Sequence, residues 1–158
     1  MTIRNLSKMA LVAAIYFVLT VVLADLSFRE IQFRVSEALL ILIFIDKRYA
    51  LAILLGTFLA NLSSPLGLID WVVGTFATLL TCVLLYYCKK YKLLSLHWAP
   101  IINGIIVGLE LNIIFGLPLW LTMAQVFIGE WVVVCVIGYA LWLIISKRSE
   151  LLKILELD

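Results

Sequence analysis

The sequence predicts an all-α, polytopic membrane bundle of six transmembrane helices, and three observations predict it. Hydrophobic residues make up 65% of the 158 residues, with a mean hydropathy of +1.18; soluble domains sit nearer ~45–50% apolar. The apolar runs are long and continuous rather than alternating, which favours helices over membrane strands. Polar clusters separate those runs at intervals of one span. At ~20 residues per helix the chain holds six short helices and almost nothing more, so residues 1–158 read as one integral membrane domain.

The first segment, 6–24, has no small-residue cleavage site after it and more spans follow, so it is not read as a removable leader. The second, 28–45, stops at Asp46-Lys47-Arg48. The third, 49–62, is short and leaves through the turn-rich Asn61-Leu62-Ser63-Ser64-Pro65. The fourth, 69–88, stops at Lys89-Lys90-Tyr91-Lys92. The fifth, 99–115, passes through Gly116-Leu117-Pro118 into the sixth, which ends near Ser146.

Charge then sets the orientation. Arg4, Lys8, Lys47, Arg48, Lys89, Lys90, Lys92, Lys147, Arg148 and Lys153 fall on one side, ten of the twelve basic residues, against Arg29 and Arg34 on the other. The positive-inside rule places that side, and both termini, in the cytoplasm. A re-entrant hairpin formed by segments two and three would move Lys47 and Arg48 outside and leave the split at eight to four, with the termini still inside.

Four acids interrupt the apolar runs: Glu37, Asp70, Glu110 and Glu130. A carboxylate at the centre of a span opposes insertion by about 2.5–3.5 kcal/mol, so four together oppose it by roughly 10 kcal/mol. Such residues face an interior, and here they gather with Asp25, Arg34, Asn61, Asn112 and Gln125 toward the outer half, while the inner half is mostly Leu, Ile and Val. The pattern predicts a cavity that opens outward and is closed inward. Interhelical hydrogen bonding is the structural alternative.

Helical spacing groups the candidates. Arg34 and Glu37, three apart, share a face and can pair or clamp a ligand together. Asp70, Gly74, Ala77, Thr78 and Thr81 form one small-and-polar stripe. Asn103 and Glu110 share a face, as do Thr122, Gln125 and Gly129; Glu130 lies well around the helix from the last set. Gly104, Gly108 and Asn112, and likewise Ala52, Gly56 and Ala60, read as close helix packing. Trp71 and Trp120 sit at helix ends, where aromatic residues stack on a planar ligand or form an interfacial belt; the belt suits Trp120.

Several classes are excluded. No Gly-x-x-x-x-Gly-Lys-Ser/Thr loop is present, so the chain cannot hydrolyse ATP by a P-loop mechanism, and there is no Gly-x-Ser-x-Gly elbow. Cys82, Cys88 and Cys135 lack metal-ligand spacing and read as free thiols, and the single His97 reads as a connector residue. No enzyme activity, metal or cofactor is expected. A net charge of +2 implies no nucleic-acid partner. The two halves show no clear repeat, so a binding subunit driven by a partner fits better than a self-sufficient carrier.

Two stretches carry a resemblance: Ile31-Gln32-Phe33-Arg34-Val35-Ser36-Glu37-Ala38-Leu39, and Asn61-Leu62-Ser63-Ser64-Pro65-Leu66-Gly67-Leu68-Ile69-Asp70, continuing through Gly74-Thr75-Phe76-Ala77-Thr78. With the six short helices, they resemble the QueT family, substrate-binding S components of energy-coupling factor (ECF) transporters assigned to queuosine precursors. The resemblance implies a transmembrane scaffold subunit and two ATPase subunits as partners. It also implies that Ala10 and Ala14 in the first helix face that scaffold. A 7-deazaguanine base offers adjacent ring N–H and amine donors suited to a carboxylate, and an aminomethyl substituent adds an ammonium for a second one. Arg34, Glu37, Asn61, Asp70, Trp71, Asn103, Glu110, Gln125 and Glu130 are therefore the expected substrate-binding residues. Two other readings stay open: a proton- or cation-coupled carrier relaying through Glu110 and Glu130, and a non-transport assembly subunit in which the acids pair with partner helices.

Overall fold

In the computed structural model, residues 2–29 and 31–157 are described, and among them every regular element is helical. Helix α1 (Ile3–Val22) starts at Thr2, whose hydroxyl accepts from the Asn5 N–H at 3.3 Å. A single turn, α2 (Ala24–Ser27), follows, and then a non-helical segment leads into a 3-10 helix, Val35–Phe44. Helices α3 (Tyr49–Asn61) and α4 (Leu68–Cys88) come next. A 3-10 turn, Lys89–Tyr91, and the short α5 (Lys92–Leu96) lead into α6 (Trp98–Phe115). The last long helix is composite: α7 (Leu119–Glu130), a π-helix (Trp131–Gly138) and α8 (Tyr139–Ser146); α9 (Ser149–Leu155) closes the described chain.

Four helical stretches are long and apolar enough to cross a membrane: Ile3–Val22, Leu68–Leu96, Trp98–Phe115 and Leu119–Ser146. The second expected segment departs from its prediction. It was expected to be helical from residue 28, but residues 31–34 are non-helical, with a tight turn at Arg34 (φ −81°, ψ 83°), and helix begins at Val35, with 3-10 rather than α geometry. Hydropathy alone cannot separate these states, because a fully buried run satisfies any of them.

The turns follow from local chemistry. Gly116 adopts a left-handed conformation (φ 67°), closing α6 where a side chain would be strained, and the Asn112 amide donates to the Leu117 carbonyl at 2.5 Å. Pro118 then precedes α7. The resulting α6–α7 hairpin is tight because its glycines admit the partner backbone: a Cβ on Gly108 would lie 2.7 Å from the Met123 Cα, and one on Gly104 3.1 Å from the Phe127 Cβ. Gly56 of α3 meets Tyr16 and Ala13 of α1 in the same way. Both small-residue faces therefore serve packing, as their spacing predicts.

The two termini lie at one end of the bundle. Lys8 donates to the Glu156 carbonyl at 2.7 Å and Tyr49 to that of Leu155 at 2.6 Å, while Arg48 reaches the Leu157 carbonyl. The 46–48 connector is thus on the termini side, against the re-entrant alternative. More cations gather there: Lys47 and Lys89 lie 5.7 and 4.7 Å from the Tyr86 ring centroid, and Lys92 lies 4.0 Å from that of Trp142. The larger apolar core, including Tyr49, Ile41, Leu85, Leu96 and Val134, fills this half. A smaller one (Leu66, Ala77, Val107, Leu111 and Val126) lies toward the opposite end.

Asp46 orients the Arg48 clasp. Its carboxylate accepts from the Arg48 guanidinium (Nη2 at 2.8 Å, Nε at 3.0 Å) and from the Arg48 N–H at 2.8 Å, and the side-chain hydrogen bond chiefly holds Asp46 below the ordinary aspartate range. A pKa depressed on folding contributes stability above the unfolded value, ~3.9, and that stability is lost as pH falls through the folded value. The clasp on residues 155–157 should therefore loosen only below about pH 4. Spin labels on α1 and α9 should report a broadened distance there, and already at pH 7 in Asp46→Asn.

Candidate functional site

Every one of the four intramembrane acids is buried. Glu37 and Asp70 are 0% exposed, Glu130 1% and Glu110 4%, and Arg34, at 3%, is buried with them. Arg34 lies within electrostatic reach of Tyr16, Asp70, Glu37 and Glu130, and Glu110 within reach of Asp70 and Arg34. The five charged side chains thus form one cluster, contributed by the non-helical segment, the 3-10 helix, α4, α6 and α7.

Each member is held by its own element. Glu37 stands in the first turn of the 3-10 helix, where it accepts from the Tyr16 hydroxyl of α1 and has Thr78 of α4 beside it. Thr20 and Ser36 join the same two elements at 2.6 Å. Asp70 opens α4, where the positive end of the helix dipole favours a carboxylate. The Asn61 amide, ending α3, donates to the Asp70 carbonyl at 3.2 Å. Gly74 keeps this corner open, because a Cβ there would strike both the Asp70 carboxylate and the Asn61 amide. Glu130 is the last residue of α7 before the π-helix, with Asn103 of α6 beside it.

The cluster is under-satisfied. Both carboxyl oxygens of Asp70 and of Glu110 are buried without a hydrogen-bond partner, as are Oε2 of Glu37, Oε2 of Glu130 and Oδ1 of Asn61. Arg34 Nε and Nη2 and Gln32 Nε2 are buried donors in the same condition. An unpaired buried polar group costs about 1–3 kcal/mol, more when charged, so a set this large marks a place built for partners of its own polarity.

An open cavity of about 780 Å³ lies at the end away from the termini, lined by Asp25, Phe28, Ile31, Phe33, Leu111 and Gln125 among others. The non-helical segment separates it from the acids. Phe33 borders the cavity while Gln32 and Arg34, on either side of it in sequence, are buried. The Phe28 ring centroid lies 5.4 Å from the Arg34 guanidinium carbon.

A family model for the QueT transporter matches residues 6–147. The chain belongs to the QueT transporter family. It is also similar to the "Queuosine precursor transporter QueT" of Lactococcus lactis subsp. cremoris (strain MG1363), 29% identical over 143 residues that cover 80% of this chain and 83% of that one. No solved structure matches it. As a QueT-family member with several membrane-spanning helices it is a multi-pass membrane transporter and not an enzyme.

Within this QueT-family bundle the predicted residues divide in two. Arg34, Glu37, Asn61, Asp70, Asn103, Glu110 and Glu130 are all buried, and the stripe of Asp70, Gly74, Ala77, Thr78 and Thr81 is the buried face of α4. Trp71 and Gln125 stand apart. Trp71 packs on Phe58 (ring centroids 4.8 Å) in an outward-facing groove with Leu54 and Leu55, because one residue of α-helix turns it ~100° from Asp70. Gln125 is half-buried at the open cavity. Of the two options for Arg34 and Glu37, pairing or a shared clamp, no ion pair is formed, although the two lie within electrostatic reach; Glu37 accepts from the Tyr16 hydroxyl instead. Trp120 is 81% exposed, as a belt residue should be. Ala10 and Ala14 are exposed on the surface of α1.

Sequence reasoning missed Gln32 and Tyr16. For Gln32 the signal was available in the alternation of apolar Ile31 and Phe33 with polar Gln32 and Arg34, a period-2 pattern. For Tyr16 nothing in an apolar helix distinguished it. Replacing Tyr16 with Phe keeps the ring and removes the donor to Glu37, so it should destabilise the protein by about 1.5–3 kcal/mol. Thermal unfolding in detergent checks this; Glu37→Gln combined with Tyr16→Phe should recover part of the loss.

Proposed function

We propose that this chain is the substrate-binding S component of an ECF-type importer for a queuosine precursor, a 7-deazaguanine base, with both termini in the cytoplasm. The observation that carries the reading is the pair of wholly unpartnered buried carboxyls, Asp70 and Glu110, within electrostatic reach of each other. Two neighbouring acceptor groups suit a ligand edge that presents a ring N–H beside an amine. Glu37 and Glu130 each keep one unpartnered buried oxygen, which supports a role in meeting an ammonium. The name of the Lactococcus relative supports the substrate class.

Six spans follow if the two short elements also cross. The 3-10 helix rises ~2.0 Å per residue and so covers ~20 Å, and the non-helical residues 31–34 before it lengthen the crossing toward a ~30 Å hydrocarbon core. The cations clustered at the termini end support a cytoplasmic placement by the positive-inside rule. The whole chain is then a single membrane domain, its energy supplied by a scaffold subunit and two ATPases that dock on it.

Ligand affinity of the purified protein for a 7-deazaguanine base, measured by calorimetry, tests the site. Asp70→Asn and Glu110→Gln should each weaken binding by about 1.5–3 kcal/mol, roughly one to two orders of magnitude. Glu37→Gln and Glu130→Gln should act chiefly on ligands bearing an aminomethyl group. If all four variants fold and bind within twofold of the parent, the acids are structural.

The partner assignment has its own test. Ala10 and Ala14 present a small, exposed patch on α1 against which another helix can approach closely. Ala10→Trp and Ala14→Trp should abolish co-purification with the scaffold and ATPase subunits while leaving ligand affinity within twofold. Concentrative uptake by the chain alone in liposomes under a proton gradient would remove the need for partners.

A further inference from the structure

The unpartnered polar atoms of the cluster are sorted by element. The free carboxyl and amide oxygens sit on membrane helices: Asp70 on α4, Glu110 on α6, Glu130 on α7, Asn61 on α3 and Glu37 on the 3-10 helix. Of the free nitrogen donors, two side chains lie on the non-helical segment before the 3-10 helix, Gln32 and Arg34, and a third, the Trp71 indole N–H, lies on α4. Burial alternates along that segment, with Ile31 exposed, Gln32 1% exposed, Phe33 half-buried and Arg34 3% exposed. The segment is non-helical, and the Val35 N–H donates to the Phe33 carbonyl at 3.0 Å, which turns the chain tightly at Arg34. Gln32 and Arg34 are both turned into the bundle, Arg34 within electrostatic reach of the acids, while Phe33 borders the open cavity.

The segment is held in that register. The Phe33 N–H donates to the Leu26 carbonyl at 2.9 Å, tying the strap to α2. On the other side Gly129 lets α7 come against it: a Cβ there would lie 2.8 Å from the Gln32 carbonyl oxygen. Gly129 directly precedes Glu130, so the strap is seated at the level of one of the acids.

We infer that Gln32, with Arg34, forms a donor rail opposite the acceptor wall of carboxyls, and that it selects ligands whose recognised edge carries a carbonyl oxygen next to its N–H donors. This rests on the base-binding function proposed above and narrows it. The carboxyls read the N–H and amine, and the rail reads the adjacent oxygen. A purely cationic or purely donor ligand would leave the rail unpaired; a lactam edge satisfies both sides. Gln32 is accordingly a specificity residue.

The test uses the full chain in detergent and two probes that differ at one atom: 7-deazaguanine and 6-thio-7-deazaguanine, which keeps the ring N–H and the amine but carries sulfur, a weak acceptor, in place of the exocyclic carbonyl oxygen. The parent should prefer 7-deazaguanine by at least about tenfold, the range of a hydrogen bond with a charged partner. Gln32→Met, nearly isosteric and without a donor, should cut that preference to about threefold or less by weakening the oxo base alone. Gln32→Leu should behave the same, and Gln32→Glu should weaken the oxo base further. If either neutral variant folds with an unchanged parent preference, the rail is overturned while the functional reading stands. If neither probe binds the parent while an aminomethyl cation without the deazaguanine base does, the rail is overturned too, and the base-binding reading falls with it.

Discussion

Burying four carboxyls and one guanidinium together in an apolar bundle is the constraint around which the other features are arranged. None of these groups is tolerable alone at membrane depth, and a single cation among four acids leaves acceptors in excess. The bundle responds by drawing each acid to a junction. Glu37 is caught by Tyr16 at the crossing of α1 and the 3-10 helix, Asp70 sits at the start of α4 beside Asn61, and Glu130 lies where α7 changes geometry. What these arrangements do not satisfy is left facing the interior.

The fold places this polar group between two different surroundings. Toward the termini it rests on the larger apolar core, which leaves no polar route along its axis. Toward the other end only the non-helical strap separates it from an open cavity of about 780 Å³. A partition made of four residues without helical hydrogen bonds is the least expensive part of such a molecule to displace, whereas the opposite side is sealed by interlocked helices.

Most of the helices were legible because spacing and burial agree on regular α-helix. The buried face of α4 follows from its stripe of small and polar residues, and the glycines of α6 follow from its contact with α7. The second apolar segment was not legible in the same way: an uninterrupted run of Ala, Leu and Ile fits 3-10, α and extended backbone equally, so nothing marked the start of helix at Val35. That one shift concealed Gln32. Helical phase likewise set Glu130 apart from Thr122 and Gln125, yet tertiary packing gathers Glu130 with the acids and leaves Gln125 at the cavity. Trp71 shows the reverse case, a residue adjacent in sequence to Asp70 that the helix turns outward.

The π-helix that follows Glu130 carries one further implication. A stretch bonded i to i+5 holds more residues per turn than α-helix does, so over Trp131–Gly138 the chain falls behind α-helical phase. The faces of α8 are thus set by this lag. Trp142 meets Phe44 edge-on, with centroids 5.6 Å apart, and carries Lys92 above its ring only in that phase. Were the segment to tighten to ordinary α-helix at its present length, α8 would turn ahead of its present phase, taking Trp142 away from Phe44 and uncoupling the termini end from the 3-10 helix. The stretch therefore acts as a phase adjuster between the two halves of one long helix, and its length is as much a determinant of the bundle as any side chain in it.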